Sequence, residues 1–289
     1  MNSSVVDKLC YGTMTFGHHG VFKEIGCRDR RENCKIVDYL YELGVRRYDT
    51  ANGYSDGQAE IILGEALKQR HDVFISSKVC KSIFNCKPID LSHANIIASC
   101  TRTLKNLQRD YIDVLYLHDI DFAVNIEESI SALELLCQKG MIMGYGVCNY
   151  NIHLLKRVFH FACNNFKAAQ YRCSYIDESI PSNIKDILKE HHVKLYGYSI
   201  LGGGLLTGKY NINVQDKGRF TRLGITPDLS KLKKAQTLIK LSLQKGVPIE
   251  KLAFEYAEKN CDYTIFGARN LNQATHTMRS FLYEKQHDI

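Results

Sequence analysis

The sequence predicts an α/β chain of the (β/α)8 TIM-barrel class, read as a single domain over residues 1–289 with its active site at the C-terminal mouth of the strands. Three observations predict it. Eight short β-rich runs alternate with helical patterns. Divided by eight, the 289 residues allot about 36 to each unit, which suits a strand, a helix and their loops. No linker or low-complexity segment cuts the chain. Strand–helix alternation calls for a parallel sheet, and a parallel sheet closed on itself carries its chemistry on the loops after the strands.

The predicted strands are 8–14, 46–50, 73–79, 113–118, 143–149, 168–173, 194–200 and 262–267. Between the first two, Ile36, Val37, Leu40 and Leu43 recur at helical spacing over 32–43. Ile61, Ile62, Leu63, Ala66 and Leu67 do so over 59–69. A helix over 126–138 opens with Glu127 and Glu128, acidic residues that suit the positive end of a helix dipole. Gly44 and Gly140 stand where helices should end. The longest irregular stretch is 202–230, with glycines at 202, 203, 204 and 208. It precedes a Lys-rich helix and reads as a ligand cover.

Composition narrows the function. The chain is 45% hydrophobic with only 4 Pro, which excludes disorder. No apolar run approaches the roughly 18 residues of a membrane span, and the N-terminus lacks a signal-peptide pattern. The 11 cysteines include no C-x-x-C pair and read as reduced, mostly buried thiols, so a cytoplasmic location is expected. A net charge of +7 fits an anionic ligand. The basic runs 28–31 and 231–234 are short and lie outside aromatic-rich stretches, so no nucleic-acid or membrane partner is expected.

Several motifs fail on inspection. Gly203 to Gly208–Lys209 resembles a phosphate loop, but Tyr210 replaces the Ser or Thr that would hold Mg²⁺. No G-x-G-x-x-G opens a helix, and there is no H-E-x-x-H or G-x-S-x-G. His18–His19 and His191–His192 are adjacent rather than on one helical face, so no metal site is expected.

The strand ends carry the chemistry. Asp49 ends the second predicted strand and Tyr54 follows in its loop. Lys78 lies at the end of the third strand and His118 at the end of the fourth. All four should project into one mouth. A phenol titrates near 10, and an ammonium beside it, held by Asp49, should lower that value. His118 can bond a substrate oxygen. The set suits proton donation to a carbonyl oxygen. Ion-paired structure is the bland alternative for each residue taken singly.

Seven segments then resemble the aldo-keto reductase superfamily in its own order: 12–17 (GTMTFG), 48–67 (YDTANGYSDGQAEIILGEAL), 76–78 (SSK), 110–119 (DYIDVLYLHD), 144–150 (GYGVCNY), 198–210 (YSILGGGLLTGKY) and 265–273 (IFGARNLNQ). Within it, YSDGQAEIILG and GGLLTGKY followed by GRF look most like the aflatoxin aldehyde reductase branch and its bacterial relatives. The potassium-channel β subunits are a second likeness.

The resemblance implies a barrel that binds NADP(H), with NADPH preferred, and reduces a small-molecule carbonyl substrate. It makes Tyr54 the proton donor, tuned by Lys78 and Asp49, with His118 orienting the carbonyl. Tyr198 should stack on the nicotinamide, and Asn149 and Gln170 should hold its carboxamide. Ser199, Leu201, Gly203, Lys209 and Arg219 should line the pyrophosphate, and Gly267, Arg269 and Gln273 the 2′-phosphate. Thr13, Met14, Asp49 and Cys148 complete the implied cofactor set. Cys148 stands where the family has Ser, and His276–Thr277 where it has Glu-Asn. With no Trp in the chain, the substrate pocket is expected to draw on Phe16, Phe22, Phe84 and Tyr residues.

Two other readings stay open at this stage. One is a cofactor-binding regulatory subunit with little turnover. The other is a Schiff-base lyase or aldolase with Lys78 as nucleophile.

Overall fold

The computed structural model describes residues 3–79, 89–210 and 218–284. The predicted loop segment containing Phe84, and part of the 202–230 stretch, lie outside them. Eight parallel strands close into a barrel in sequence order, β1 to β8. They are Leu9–Gly12, Arg47–Asp49, Phe74–Val79, Val114–Leu117, Tyr145–Cys148, Phe166–Arg172, Lys194–Tyr198 and Tyr263–Phe266. Every predicted strand is present. Most are shorter by a residue or two at each end, where the chain already turns into its loop.

The helices are α1 Ser3–Val6, α2 Arg30–Glu42, α3 Gln58–Ala66, α4 His93–Leu107, α5 Ile126–Gln138, α6 Ile152–Phe161, α7 Ser182–Glu190, α8 Arg219–Arg222, α9 Leu229–Lys245, α10 Ile249–Asn260 and α11 Leu271–Phe281. Their starts follow local chemistry. Asp29, Ser92, Asn151, Asp228 and Asn270 each accept a backbone N–H of the first turn with a side-chain oxygen. Gly44 and Gly140 take positive φ just past α2 and α5, as expected of helix-ending glycines. Among the described residues, the α-helices α8, α9 and α10 lie between β7 and β8, so the last unit is longer than the others.

Two layers of packing position the site. Between strands and helices lies the large apolar shell, including Leu9, Ile36, Leu40, Leu63, Leu115, Leu133 and Phe254. Inside the barrel, Cys10, Val114, Tyr116, Cys148, Ala168, Tyr196 and Ile265 pack together. Below them the Arg47 guanidinium lies 4.7 Å from the Phe74 ring centroid and 4.2 Å from that of Tyr263, so the N-terminal end is plugged.

Close backbone approach within the wall requires glycine at Gly146. A Cβ there would stand 2.4 Å from the Ala168 carbonyl oxygen and 2.5 Å from the Tyr116 ring.

Candidate active site

Strand register sets the floor of the mouth. Gly12 pairs with Asp49, Asp49 with Ser76, and Lys78 with Tyr116. Asp49, Lys78 and Ser76 are all buried. Lys78 Nζ donates to Asp49 Oδ2 and, at 2.8 Å, to the Thr50 carbonyl. Ser76 Oγ donates to Asp49 Oδ1 at 2.8 Å, and Gln170 Nε2 donates to the same oxygen at 2.7 Å. The Asp49 carbonyl in turn accepts the Thr13 N–H at 2.9 Å and the Thr13 hydroxyl at 3.2 Å. Asp49 is thus fixed by neighbours on β3 and β6 and by Thr13 just after β1. Burial, the largest single influence, lowers the Lys78 pKa, but the charge and hydrogen bond of Asp49 together with Tyr54 and Cys148 outweigh it and hold the ammonium charged.

Tyr54 opens a tight turn, Tyr54–Gly57, after β2, in which Ser55 and Asp56 adopt left-handed backbone with φ of 48° and 55°. Ser55 Oγ holds this turn by donating to the Phe16 carbonyl at 2.9 Å. The Tyr54 ring packs edge-on to Phe22 at 5.6 Å and to His118 at 5.8 Å, and Lys78 Nζ is 5.2 Å from its centroid. The four residues singled out from strand ends therefore meet.

The expected sign of the Tyr54 shift is corrected. Burial raises its pKa to about 12, and the Lys78 charge, which acts downward, offsets only part of that. Tyr54 is held as a neutral phenol across the neutral range.

The flanking residues divide. Thr13 is buried beneath the mouth, and Met14 is half-buried against the main core. Gln170 spends its amide on Asp49, while its oxygen faces the Cys148 thiol at 4.0 Å. Asn149, with φ 58°, is exposed and accepts the Tyr198 hydroxyl at 3.2 Å. The half-buried Tyr198 ring lies beside it at the rim.

Beyond β7, Ser199 is left-handed, and the Leu201 carbonyl caps a turn over Gly202–Thr207 by accepting the Gly204 and Leu206 N–H groups. Gly203 and Gly204 have φ of 67° and 102°, leaving a side-chain-free cradle against which Lys209 and Phe220 fold. Arg219 begins α8 and is half-buried. Burial and the neighbouring Arg172 charge both press its pKa below the usual guanidinium value.

On the far rim, Gly267 approaches the Gly12 carbonyl. Arg269 Nε donates to Gly26 O at 3.1 Å, and Gln273 Oε1 accepts the Arg269 N–H at the start of α11. Thr277 is buried, and His276 pairs instead with Glu250 at 3.0 Å. Of the expected pocket aromatics, Phe16 is fully buried against Tyr11 at 5.8 Å and belongs to the core; Phe22 flanks Tyr54.

Three contributors escaped the sequence reading. Ser76 and Arg172 each lie two residues from a recognised residue on the same strand, Lys78 and Gln170, and the two-residue period of a strand places them on the same face. Thr50 contributes only its carbonyl and leaves no side-chain signature. Among the described residues no group of three or more His, Cys, Asp or Glu is placed to hold a metal ion, and no helix is long and apolar enough to cross a membrane.

The parallel eightfold barrel thus gathers an Asp–Lys pair, a buried phenol and a histidine at its C-terminal mouth. The chain belongs to the aldo/keto reductase family, which matches residues 8–288, and so to oxidoreductases acting on carbonyl and alcohol groups with NAD(P)H. Norsolorinic acid reductase B of Dothistroma septosporum is 26% identical over 282 residues, covering 92% of this chain and 72% of that protein. A Schizosaccharomyces pombe protein named for a voltage-gated potassium channel β subunit is 28% identical, covering 93% and 82%. Both expected likenesses are therefore found. Among solved structures, an aldo-keto reductase of Bacillus halodurans in its holo form aligns with a TM-score of 0.78 and 25% identity, covering 97% of this chain and 88% of that one.

Proposed function

We propose that the protein is an NADPH-dependent reductase of aldehydes or ketones in which Tyr54 donates the proton. The observation that carries this reading is the buried Asp49–Lys78–Tyr54–His118 cluster at the mouth of the barrel. A bound reduced nicotinamide supplies the hydride.

The chain's own residues do the rest. His118 and Tyr54 bracket the place where a carbonyl oxygen would sit, and Tyr54, neutral until about pH 12, has its proton to give. Lys78, kept charged by Asp49, stabilises the negative charge that remains on the phenol oxygen after transfer. Phe22 and the buried position of Tyr54 keep bulk water from substituting as acid. A Schiff-base role for Lys78 needs a neutral amine, and its ion pair opposes that.

The residues present fit the nucleotide. Glycines with positive φ allow close backbone approach after β7. Arg219 lies there with no carboxylate partner among the described residues, and Arg269 and Gln273 stand at the N-terminus of α11, a favourable place for phosphate. We assign Tyr198, Asn149, Gln170 and Cys148 to the nicotinamide end. Ser199, Leu201, Gly203, Lys209 and Arg219 take the pyrophosphate, and Gly267, Arg269 and Gln273 the 2′-phosphate.

A panel of small aldehydes and ketones followed by NADPH absorbance tests the activity. Turnover of at least one carbonyl is expected. Tight NADPH binding without turnover on any of them would instead favour a regulatory subunit, the reading suggested by the relative named for a channel.

A further inference from the structure

One buried ionisable group takes no part in the proton-donating cluster. Glu60 lies in α3 and is fully buried. Its Oε1 accepts the Ser77 hydroxyl at 2.7 Å and the Thr103 hydroxyl at 2.8 Å, and its Oε2 accepts the Asn106 amide at 2.9 Å. Burial raises its pKa, and these three bonds oppose the rise. A carboxylate at this depth is costly where apolar packing would fill the same space. What it joins is therefore informative.

Ser77 stands between Ser76 and Lys78 on β3. Side chains alternate along a strand, so Ser76 and Lys78 reach Asp49 inside the barrel while Ser77 reaches outward to α3. Glu60 follows Tyr54 by six residues, in the helix that continues directly from the Tyr54–Gly57 turn. That turn is left-handed at Ser55 and Asp56, a conformation that persists only where the surroundings fix it. One restraint is the Ser55 bond to the Phe16 carbonyl. Another lies behind the turn, where a Cβ at Gly57 would stand 3.1 Å from Asn106 Nδ2. The same nitrogen donates to Glu60. One carboxylate thus ties together the strand that carries Lys78, the helix that follows Tyr54, and the α4 residue that backs the turn.

We propose that Glu60, through its bond to Ser77, is a positioning residue that sets the spacing of Tyr54 and Lys78 and thereby the rate of proton transfer. The transfer rests on the carbonyl-reductase reading, whereas the spacing is a property of the fold. Lys78 Nζ lies 5.2 Å from the Tyr54 ring centroid. An ammonium stabilises the charge left on a phenol oxygen most strongly at short range, and a small displacement of a reacting group costs rate steeply.

The test compares two substitutions in the full chain. Ser77→Ala and Thr103→Val each remove one hydroxyl from the same Glu60 oxygen with little change in volume, but only Ser77→Ala cuts the tie to β3. Both are expected to lower Tm by similar amounts. Ser77→Ala should lower kcat about tenfold with the NADPH dissociation constant unchanged, while Thr103→Val stays within about twofold. Combined with Tyr54→Phe, Ser77→Ala should cause no further loss of kcat, because the bond acts through the phenol. A loss of the same size in both backgrounds would mean a general structural role and would overturn the proposal, as would equal losses in Ser77→Ala and Thr103→Val.

Crystal structures of the wild type and both variants read the spacing without turnover. A longer distance from Lys78 to Tyr54 in Ser77→Ala alone upholds the positioning. In a protein that turns over no carbonyl, that result would keep the positioning and reject the reductase. An unchanged distance in Ser77→Ala would overturn the positioning whatever the activity.

Discussion

Tyr54 concentrates the competition between burial and charge. A positioned acid contributes about 10²–10⁴ in rate, and phenylalanine keeps the ring packed against Phe22 and His118 while removing the proton. Tyr54→Phe is therefore expected to lower kcat at least about a hundredfold and to leave the NADPH dissociation constant nearly unchanged. Near-wild-type turnover would reject the acid assignment. The pH dependence follows from the direction of the shift. A pKa raised to about 12 keeps the phenol protonated below that value, so Tyr54 imposes no alkaline loss of reduction rate between about pH 6 and 10. A limb near pH 7 to 8 that disappears in Tyr54→Phe would contradict this. The same sign governs stability. The contribution is complete below the unfolded value of about 10 and declines as pH rises from there through about 12. For the Asp49–Lys78 pair, removing one partner leaves a buried charge. Asp49→Asn should cost about 3–5 kcal/mol in urea unfolding, and Asp49→Asn with Lys78→Met should cost less than the single change.

At the scale of elements, strand ends were legible and loop geometry was not. The residues of YDT, SSK and LYLH mark strand termini by pattern alone, and the barrel fixes what stands at such termini, so Asp49, Lys78 and His118 meet as expected. The sign of the Tyr54 shift depends on how deeply the turn after β2 is buried, which no local pattern encodes. Gln170 was expected to serve the carboxamide, and its amide bond to Asp49 arises from a neighbour 121 positions away. Arg172 and Ser76 were within reach of strand periodicity but are overshadowed by adjacent motif residues. The wall itself makes a prediction. At Gly146 the first atom added meets β6 backbone and the Tyr116 ring, neither of which can retreat. Gly146→Ala should lower stability by about 1–3 kcal/mol, read from thermal or urea unfolding. A neutral result would mean that β5 and β6 can separate more easily than their register implies.

For the whole molecule, the barrel leaves a rigid floor and places its adaptable parts on one rim. The floor is tied through buried hydrogen bonds around Asp49, and the opposite end is plugged by Arg47 between two rings. The rim between β7 and α9 is different. Its described portions are a turn with three left-handed glycines and the four-residue helix α8, attached to the opposite rim through Arg222 and Glu24. Such a strap, built of short turns rather than barrel wall, opens locally more readily than the floor and responds to what binds beneath it. Lys209 and Arg219 give it positive charge, so a dinucleotide under the strap would link the floor to the rim and raise the free energy of opening by mass action. Limited proteolysis over 202–230 should therefore slow in saturating NADPH. It should slow less in NADH at the same concentration if Arg269 and Gln273 hold the additional phosphate as proposed. Protection by NADPH with equal protection by NADH would remove the coenzyme preference and keep the strap's part in binding. Cleavage at an unchanged rate with both would mean that the strap takes no part in binding.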